Sequence, residues 1–258
     1  MQMFKNVIVR RPAKSMVDGI TSNPQLGRPN YELALKQHDD YIEALKKCGV
    51  AVTVLEALEE YPDSCFVEDT AVITRKCAIL SNPGAASRNG EAKEMLPAIN
   101  KFFPDNRIEY IKTPGTLDGG DVMMVGDHFY VGRSARTNAE GIRQFIAILE
   151  KHGLSGSEVK LELVLHLKTG VNYIENGNML VSGEFVEKAD FVKYSKIVIP
   201  EEESYAANCI WVNDRVIVPS GYPTVEKKIR DAGYEVILTD TSEYRKLDGG
   251  LSCLSLRF

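Results

Sequence analysis

The chain lacks the cysteine spacing of a disulfide framework or of a structural zinc site. Its cysteines are odd in number, and no two of them form a CxxC pair. Both facts argue against a disulfide framework or structural zinc and indicate a reducing compartment, so the expected location is cytoplasmic. The five cysteines are Cys48, Cys65, Cys77, Cys209 and Cys253.

An excess of positive charge and a long apolar run are also missing. The net charge is -5 and the pI is near 5.5, so the chain has no basic footprint for nucleic acid, and we expect no such partner. No apolar run approaches the roughly 18 residues that a membrane span needs, so we expect no membrane partner. Residues 1–6 contain no apolar segment typical of a signal peptide.

The composition itself is that of an ordinary globular protein. Of the 258 residues, 44% are hydrophobic and 26% are charged, which suffices for a sizeable core. We predict one domain covering residues 1–258. A Rossmann-type α/β fold is the alternative, but no GxGxxG sequence follows the first predicted strand.

Apolar spacing predicts helices over residues 31–47, 89–103, 137–152 and 224–232. In the third of these, Thr137 and Glu140 have the spacing of a capping box. Between the helices, apolar runs interrupted by glycine, asparagine and aspartate are typical of β-hairpins. The predicted hairpin turns are Gly126-Asp127, Asn176-Gly177 and Asn213-Asp214.

Short polar segments that lead into predicted strands recur every 36 to 52 residues, a spacing typical of propellers and other repeat folds. The last segment has no room for a helix after it, so the N-terminal strands and the first helix must complete its unit. We therefore predict an α/β fold, a five-bladed propeller of ββαβ units with pseudo-five-fold symmetry, whose chain ends close one unit. These strand openings, which we expect to converge on one site, are marked by Asp69, Asp121, Asn172, Asn208 and Ser252.

The C-terminal segment 249–258 carries a candidate nucleophile. It is largely apolar, contains a glycine pair, and places Cys253 five residues from the end. Chain ends usually fray, so such a tail indicates a strand held in a sheet with its backbone close to another group. The alternative is that Cys253 is a small buried hydrophobic residue, which is a common fate of free cysteine.

Candidate charged and acid–base residues lie near the other openings. Glu68 and Asp69 have apolar neighbours, which indicates a sheet interior where carboxylates need a cation. Asp63 precedes them, and Asp118 lies in an Asp-Gly-Gly-Asp turn that could be purely structural. His166 ends an apolar run and is the best catalytic candidate of the four histidines, although it could equally be a structural strand-end residue.

Several carboxylates with one cysteine and one histidine suit a cationic electrophile. A free thiol is only a few per cent thiolate at neutral pH. A guanidinium substrate would pair with the carboxylates in bidentate fashion, and its charge would stabilise the thiolate beside it. Its central carbon would be the point of attack.

Five segments carry a resemblance to a known family: residues 62–69, 117–121, 132–137, 166–169 and 249–254. In order and spacing they resemble dimethylarginine dimethylaminohydrolases, members of the guanidino-group-modifying (pentein) superfamily. The resemblance covers essentially the whole chain. It implies a five-fold α/β propeller, in agreement with the repeat, and an enzyme that releases L-citrulline and dimethylamine or methylamine from Nω-methylated arginine without metal or organic cofactor.

The resemblance also implies roles for individual residues. Cys253 would attack the guanidinium carbon, His166 would act first as general acid and then as general base, and Asp118 would orient His166. The small-molecule substrate would also meet a lid over residues 19–29. A homodimer would be compatible with such a propeller. The implied substrate-binding residues are Leu26, Asp63, Glu68, Asp69, Arg88, Arg136 and Leu247.

Other functions stay open at this point. Deiminases and amidinotransferases of the superfamily resemble one another in having an acidic residue two positions after the histidine, where this chain has Lys168. A dimethylated nitrogen has no N–H to donate to a carboxylate, so it favours a less acidic residue at this position of the substrate pocket. Lys168 therefore favours a methylarginine as substrate. The alternatives are a deiminase-like hydrolase of another guanidino or ureido compound and, more remotely, a non-catalytic propeller that binds a ribosomal surface.

Overall fold

A computed structural model describes residues 4–258, and its strands form five sheets of three strands each. Every sheet is built alike, because its first strand is antiparallel to the second and the second is parallel to the third. This repeat confirms the prediction of an α/β propeller of five units. Four sheets follow the chain in order: Ala71–Ile73, Ala78–Leu80 and Ile108–Tyr110; Val122–Val125, His128–Arg133 and Ser155–Lys160; Val171–Tyr173, Asn178–Val181 and Ser195–Val198; Ile210–Val212, Arg215–Pro219 and Glu235–Thr239.

The fifth sheet is built from both ends of the chain. The C-terminal strand Leu256–Arg257 pairs antiparallel with Asn6–Arg10, and that strand pairs parallel with Ala51–Leu55. The carbonyl of Phe258 also accepts hydrogen bonds from the backbone N–H groups of Lys5 and Asn6. The predicted closure of one unit by the chain ends is therefore confirmed, and it holds the C-terminal segment in place.

Helices make the parallel crossover between the second and third strands in four of the units. The remaining crossover, from 182 to 194, contains only two short 3-10 turns, Gly183–Phe185 and Ala189–Phe191. The helix predicted over 89–103 is shorter than expected and contains Pro97. The four crossover helices are Tyr31–Lys47, Glu91–Ile99, Ala139–Lys151 and Pro223–Asp231, and two short helices cover Leu167–Gly170 and Ser242–Arg245. In the described part of the chain, no helix is both long and apolar enough to cross a membrane.

The predicted cap of the third helix is wrong by one residue. Asn138 is the cap, because its side chain accepts a hydrogen bond from the backbone N–H of Gly141 at 2.8 Å. The hydroxyl of Thr137 instead accepts a hydrogen bond from the backbone N–H of Asp118 at 3.0 Å. Asparagine caps as well as threonine does, and the displaced hydroxyl joins this helix to a neighbouring strand opening.

Hydrogen bonds join the five strand openings into a closed ring. Carboxylate or amide oxygens of Asp69, Asp121 and Asn208 accept from backbone N–H groups of the next unit, at 2.9, 2.9 and 2.8 Å. The ring is completed by the amide of Asn172, which donates to the Ala207 carbonyl, and by the hydroxyl of Ser252, which donates to Glu68. The polar openings thus converge as the repeat predicts, and each one links two adjacent units.

The first helix carries a buried histidine that makes stability depend on pH. The side chain of His38 is fully buried, and neither ring nitrogen has a hydrogen-bond partner among residues 4–258. Burial, with the nearby charge of Arg11 as a smaller cause, lowers the pKa of His38 to about 4. Below about pH 6.5 the unfolded chain therefore binds a proton at this histidine, whereas the folded chain does not. The contribution of neutral His38 to the free energy of unfolding is complete above pH 6.5 and is lost as the pH falls towards 4.

We expect His38→Leu to remove this acid sensitivity. The variant should be more stable than the wild type by about 2 kcal/mol at pH 5, and the difference should shrink as the pH rises towards 7. Urea unfolding of both proteins at pH 5, 6 and 7 measures the difference directly. Parallel pH dependences in the two proteins would contradict this account of His38.

Candidate active site

The nucleophile loop, residues 249–254, packs its glycine pair tightly between two side chains. A Cβ atom on Gly249 would lie 2.2 Å from the ring of Phe66, and one on Gly250 would lie 2.5 Å from the side chain of Asn208. Only glycine fits at these two positions. The loop ends in the 3-10 turn Ser252–Leu254, which leads directly into the C-terminal strand. The close backbone approach predicted from the glycine pair is therefore present.

Cys253 differs from the other four cysteines because its side chain is partly accessible, whereas theirs are buried. Its sulfur accepts a hydrogen bond from the backbone N–H of Gly250 at 3.4 Å. Burial, followed by the charges of Glu68 and Asp69, raises the pKa of Cys253 to about 12. The sulfur is therefore a thiol at neutral pH, and a positive charge beside it is needed to favour the thiolate.

His166 precedes the short helix Leu167–Gly170 and lies in the same cleft as Cys253. Its Nε2 atom is 3.0 Å from Oδ2 of Asp118, so Nδ1 is the ring nitrogen available for proton transfer. Burial of the imidazole disfavours its charge, but Asp69, Asp118 and Asp121 outweigh this and raise the pKa of His166 to about 9. The residue is therefore an imidazolium at neutral pH and can donate a proton.

Asp118 is completely buried, and three residues besides His166 contact it. Its Oδ1 atom accepts from the backbone N–H of Gly84 at 2.8 Å, and its own N–H donates to Thr137. The guanidinium of Arg136 lies 3.9 Å from Oδ2. These contacts leave Oδ2 directed at His166, so the carboxylate fixes the orientation of the ring.

Asp69 and Arg88 form a buried ion pair next to this histidine, with Oδ2 and NH1 2.6 Å apart. Burial disfavours the carboxylate, yet the charges of Arg88 and His166 keep the pKa of Asp69 below its ordinary value. Arg88 also donates to both oxygens of Glu91 and to the carbonyl of Phe66. Its guanidinium is thus largely occupied by partners within the protein.

Glu68 is buried on the other side of Cys253 and has cationic and hydroxyl partners. Its Oε1 atom lies 2.5 Å from Nζ of Lys168 and 3.4 Å from the guanidinium of Arg257. Oε2 accepts from the hydroxyl of Ser252 at 2.7 Å. Lys168, singled out in the sequence as a departure from related enzymes, therefore acts directly on this carboxylate.

Two adjoining cavities open on Cys253 and His166. One includes Ile20, Asp63 and Arg136 in its lining, together with Asp69, Arg88 and Leu247. The other is lined by Glu68, Lys168 and Tyr205 among others. The sulfur and the imidazole therefore lie where a ligand long enough to enter both cavities would pass.

The segment expected to form a lid, residues 19–29, is held at the first cavity by hydrogen bonds to two carboxylates. Asp63, whose pKa is raised by burial, accepts from the backbone N–H of Ile20 at 3.0 Å. Asp248 accepts from the backbone N–H of Ser22 at 2.5 Å and from the side chain of Asn23 at 2.6 Å. Leu26 lies in the turn Pro24–Leu26, is 39% exposed and does not line the cavity, so it is Ile20 that carries the lid backbone to the cavity wall.

The structure thus gathers most of the residues singled out in the sequence and adds several that were not. Leu26 is the residue that it leaves outside. Sequence reasoning missed Gly84, Ile20, Tyr205 and Asp248, whose contacts here come from distant parts of the chain. The one local signal was the position of Asp248 directly before the nucleophile loop, where its backbone has a positive φ of 59°.

Three of these side chains also have donor atoms spaced closely enough for a metal ion. Oxygens of Asp69 and Asp118 and a nitrogen of His166 lie within 4.8 Å of one another. However, Asp69 already pairs with Arg88 and the N–H of Gly120, while Asp118 and His166 pair with each other. In the described residues this set is therefore a hydrogen-bonded imidazole–carboxylate pair beside a second carboxylate that is ion-paired with Arg88.

Comparison with known proteins relates the whole chain to one family. Residues 23–186 match the family model described as N,N dimethylarginine dimethylhydrolase, eukaryotic. The chain is 60% identical over 256 residues to the N(G),N(G)-dimethylarginine dimethylaminohydrolase of Pseudomonas aeruginosa, covering 99% of this chain and 100% of that one. The enzyme of the same name from Streptomyces coelicolor is 33% identical over 253 residues, covering 98% and 96% of the two chains.

Solved structures agree with this relationship. A mutant of the Pseudomonas aeruginosa enzyme complexed with citrulline superposes with a TM-score of 0.98 at 59% identity over 100% of both chains. The N-terminal domain of a cyanobacterial arginine dihydrolase has a TM-score of 0.85 at 20% identity over 99% and 97% of the chains, which shows a shared fold alone. On the family model and these full-length identities, the chain belongs to the dimethylarginine dimethylaminohydrolase family of hydrolases.

Proposed function

We propose that this protein hydrolyses Nω,Nω-dimethyl-L-arginine and Nω-monomethyl-L-arginine to L-citrulline and the corresponding amine, with Cys253 as nucleophile. The observation that carries the proposal is the cleft in which Cys253 and the His166–Asp118 pair face the carboxylates of Glu68 and Asp69. The 60% identity to a dimethylarginine dimethylaminohydrolase favours methylated arginine over other guanidines.

The two ends of the substrate would meet opposite charges. The guanidinium would lie between the cavities, next to Asp69 and Glu68, since a cation compensates buried carboxylates. The α-carboxylate would pair mainly with Arg136, which is only loosely engaged, at 3.9 Å from Asp118. Arg88 would support this end with its charge, while Asp63 and the backbone near Ile20 and Leu247 would receive the α-amino group.

Substrate binding would itself activate the nucleophile. The positive guanidinium beside Cys253 lowers the pKa of a thiol that is otherwise protonated, and the thiol proton passes to solvent. The thiolate then bonds to the guanidinium carbon. Nδ1 of His166 protonates the substituted nitrogen, the C–N bond breaks, and dimethylamine leaves, which gives a covalent thiouronium on Cys253.

The second half of the reaction uses the same histidine in its neutral form. His166, having given up its proton, removes one from water as the oxygen attacks the thiouronium carbon. The C–S bond then breaks with its electron pair staying on the sulfur, and the remaining hydroxyl proton passes to the departing thiolate, which releases citrulline and restores the Cys253 thiol. Asp118 keeps the imidazole in position through both steps by its 3.0 Å contact with Nε2.

The direct test is to incubate the protein separately with dimethylarginine, monomethylarginine and arginine and to measure citrulline and the released amine. We expect citrulline with equimolar dimethylamine or methylamine, and a kcat/KM for arginine lower by roughly 100-fold. Preferential release of ammonia from arginine would instead support a deiminase-like enzyme. A folded protein that produces no citrulline from any of the three would contradict the proposal.

Lys168 should control the choice between methylated and unmethylated substrates. Its ammonium group neutralises Glu68 at 2.5 Å, and an exposed carboxylate there would accept N–H groups that arginine has and a dimethylated nitrogen lacks. For Lys168→Met, we expect the kcat/KM ratio of dimethylarginine to arginine to fall about tenfold. The matched control is Lys188→Met, since Lys188 is ion-paired with Glu184 at 2.9 Å outside the cleft. An unchanged ratio in Lys168→Met would contradict this role.

A further inference from the structure

Tyr205 contacts the nucleophile loop from a different unit of the propeller. It lies in the 3-10 segment Glu201–Ala207, and its half-buried side chain lines the same cavity as Cys253. Its hydroxyl lies 2.9 Å from the carbonyl oxygen of Gly249, to which it donates a hydrogen bond. Nothing in the reaction scheme above uses this residue.

The hydrogen bond from Tyr205 bears on Cys253, because the Gly249–Gly250 peptide group that accepts it also contacts the sulfur. The carbonyl of Gly249 and the N–H of Gly250 belong to one amide, and that N–H donates to the sulfur of Cys253 at 3.4 Å. We propose that Tyr205 is a positioning residue that acts through the Gly249–Gly250 peptide to direct and polarise the N–H that stabilises the Cys253 thiolate. This inference deepens the proposed function and rests on it.

A peptide between two glycines needs such a restraint. Glycine has the widest conformational freedom of any residue, so this amide could rotate and present its carbonyl, which repels a thiolate, to the sulfur. Phe66 and Asn208 pack against the two α-carbons and limit translation. The hydroxyl of Tyr205 fixes the orientation, and a hydrogen bond accepted at the carbonyl strengthens the N–H as a donor.

Tyr205 is itself held firmly as a donor. Its hydroxyl also lies 2.9 Å from Oγ1 of Thr241, and the guanidinium of Arg245 lies 5.1 Å from the centre of its ring. Burial raises the pKa of Tyr205, so the phenol keeps its proton throughout the working range. The hydrogen bond to Gly249 is therefore present at every pH at which the enzyme would act.

The charges around the sulfur explain why one N–H should have a measurable effect. Glu68 and Asp69 disfavour the thiolate, whereas Lys168 favours it, and the imidazole of His166 faces the same cavity. The carboxylates thus oppose ionisation, and the Gly250 N–H is the backbone group that lowers the pKa of Cys253. Weakening it should shift the thiol pKa upwards.

The test is Tyr205→Phe, which removes only the hydroxyl. Rates of Cys253 alkylation by iodoacetamide, measured by mass spectrometry at several pH values below the thiol pKa, are proportional to the thiolate fraction, so the ratio of variant to wild type reports the change in that pKa without any substrate turnover. We expect this pKa to rise by about one unit, which is a tenfold loss of thiolate. With dimethylarginine, kcat should fall about tenfold, while KM changes less than about twofold.

Tyr222→Phe is the matched control, because its ring is 5.6 Å from that of Tyr205 and its hydroxyl accepts from Arg245 instead. It should leave both the alkylation profile and kcat unchanged. A thiol pKa in Tyr205→Phe equal to that of the wild type would overturn the inference. If methylarginine proves not to be the substrate, the alkylation profile still decides the role of Tyr205, so the two proposals fail separately.

Discussion

Cys253→Ser should reduce citrulline formation from dimethylarginine by roughly 10³-fold or more, the scale at which loss of an enzyme nucleophile acts. A serine hydroxyl is far less acidic than a thiol, and Glu68 and Asp69 near this position disfavour an anion further. Substrate binding should persist, since the cationic and anionic partners of the substrate are untouched. Steady-state citrulline assays with calorimetric titration of dimethylarginine would measure both effects.

Cys48→Ser is the appropriate control for this prediction. Cys48 is buried away from the cleft, and its sulfur already donates to the carbonyl of Ala44 at 3.3 Å, a contact that a hydroxyl can take over. Its activity should stay within about twofold of the wild type, as expected for a substitution outside the site. Comparable losses in both variants would mean that Cys253 acts by stabilising the fold, and would remove it as the nucleophile.

His166→Gly should stop turnover of dimethylarginine to a similar degree, because dimethylamine must be protonated to leave. The expected loss in kcat is roughly 10³-fold. The variant should nevertheless still react with an analogue whose leaving group is a thiol, since a thiolate leaves without an acid. The covalent adduct on Cys253 should then accumulate, because the base that activates water is gone.

Intact-protein mass spectrometry after mixing His166→Gly with a thioether analogue of citrulline would detect this adduct. His128→Gln serves as control, because His128 contacts only Ser155 and Ser157 in hydrogen bonds at the edge of another unit. It should turn over dimethylarginine normally and accumulate no adduct. Full activity of His166→Gly on dimethylarginine would require a different proton donor.

The part of the activity that depends on His166 should decline at high pH. In the wild type, the charged His166 has a pKa of about 9, raised by the surrounding carboxylates against the effect of burial. The acid needed for amine departure is therefore present below pH 9 and is lost as the pH rises through it. A decline of wild-type activity above pH 9 that is absent in the residual activity of His166→Gly would assign the decline to this residue.

Much of the site was predictable because it is encoded in short, recurring stretches. The spacing of the polar openings predicted five units, and the lack of a helix after Cys253 predicted that the N-terminus completes the last one. The glycine pair predicted a close backbone approach, which the ring of Phe66 and the side chain of Asn208 provide. Each of these features depends on residues that are near one another in the chain.

The lid shows where prediction from the sequence ended. The resemblance implied a lid over residues 19–29, but which residue reaches the cavity depends on hydrogen bonds from Ile20 to Asp63 and from Ser22 to Asp248. The second of these spans 226 residues. No local periodicity carries information about such a contact, so Leu26 was expected where the structure places Ile20.

The sequence by itself determined the number of units and the closure of the ring by the two chain ends, and it marked Cys253 and His166 as candidates, whereas the role of Asp118 was implied by the resemblance to the family. It could do so because strand, turn and glycine preferences act over a few residues and repeat along the chain. Only the tertiary structure decided that Tyr205 holds the Gly249 carbonyl and that Gly84 holds Asp118. Those hydrogen bonds join groups from different units, and they exist only after packing has brought the units together.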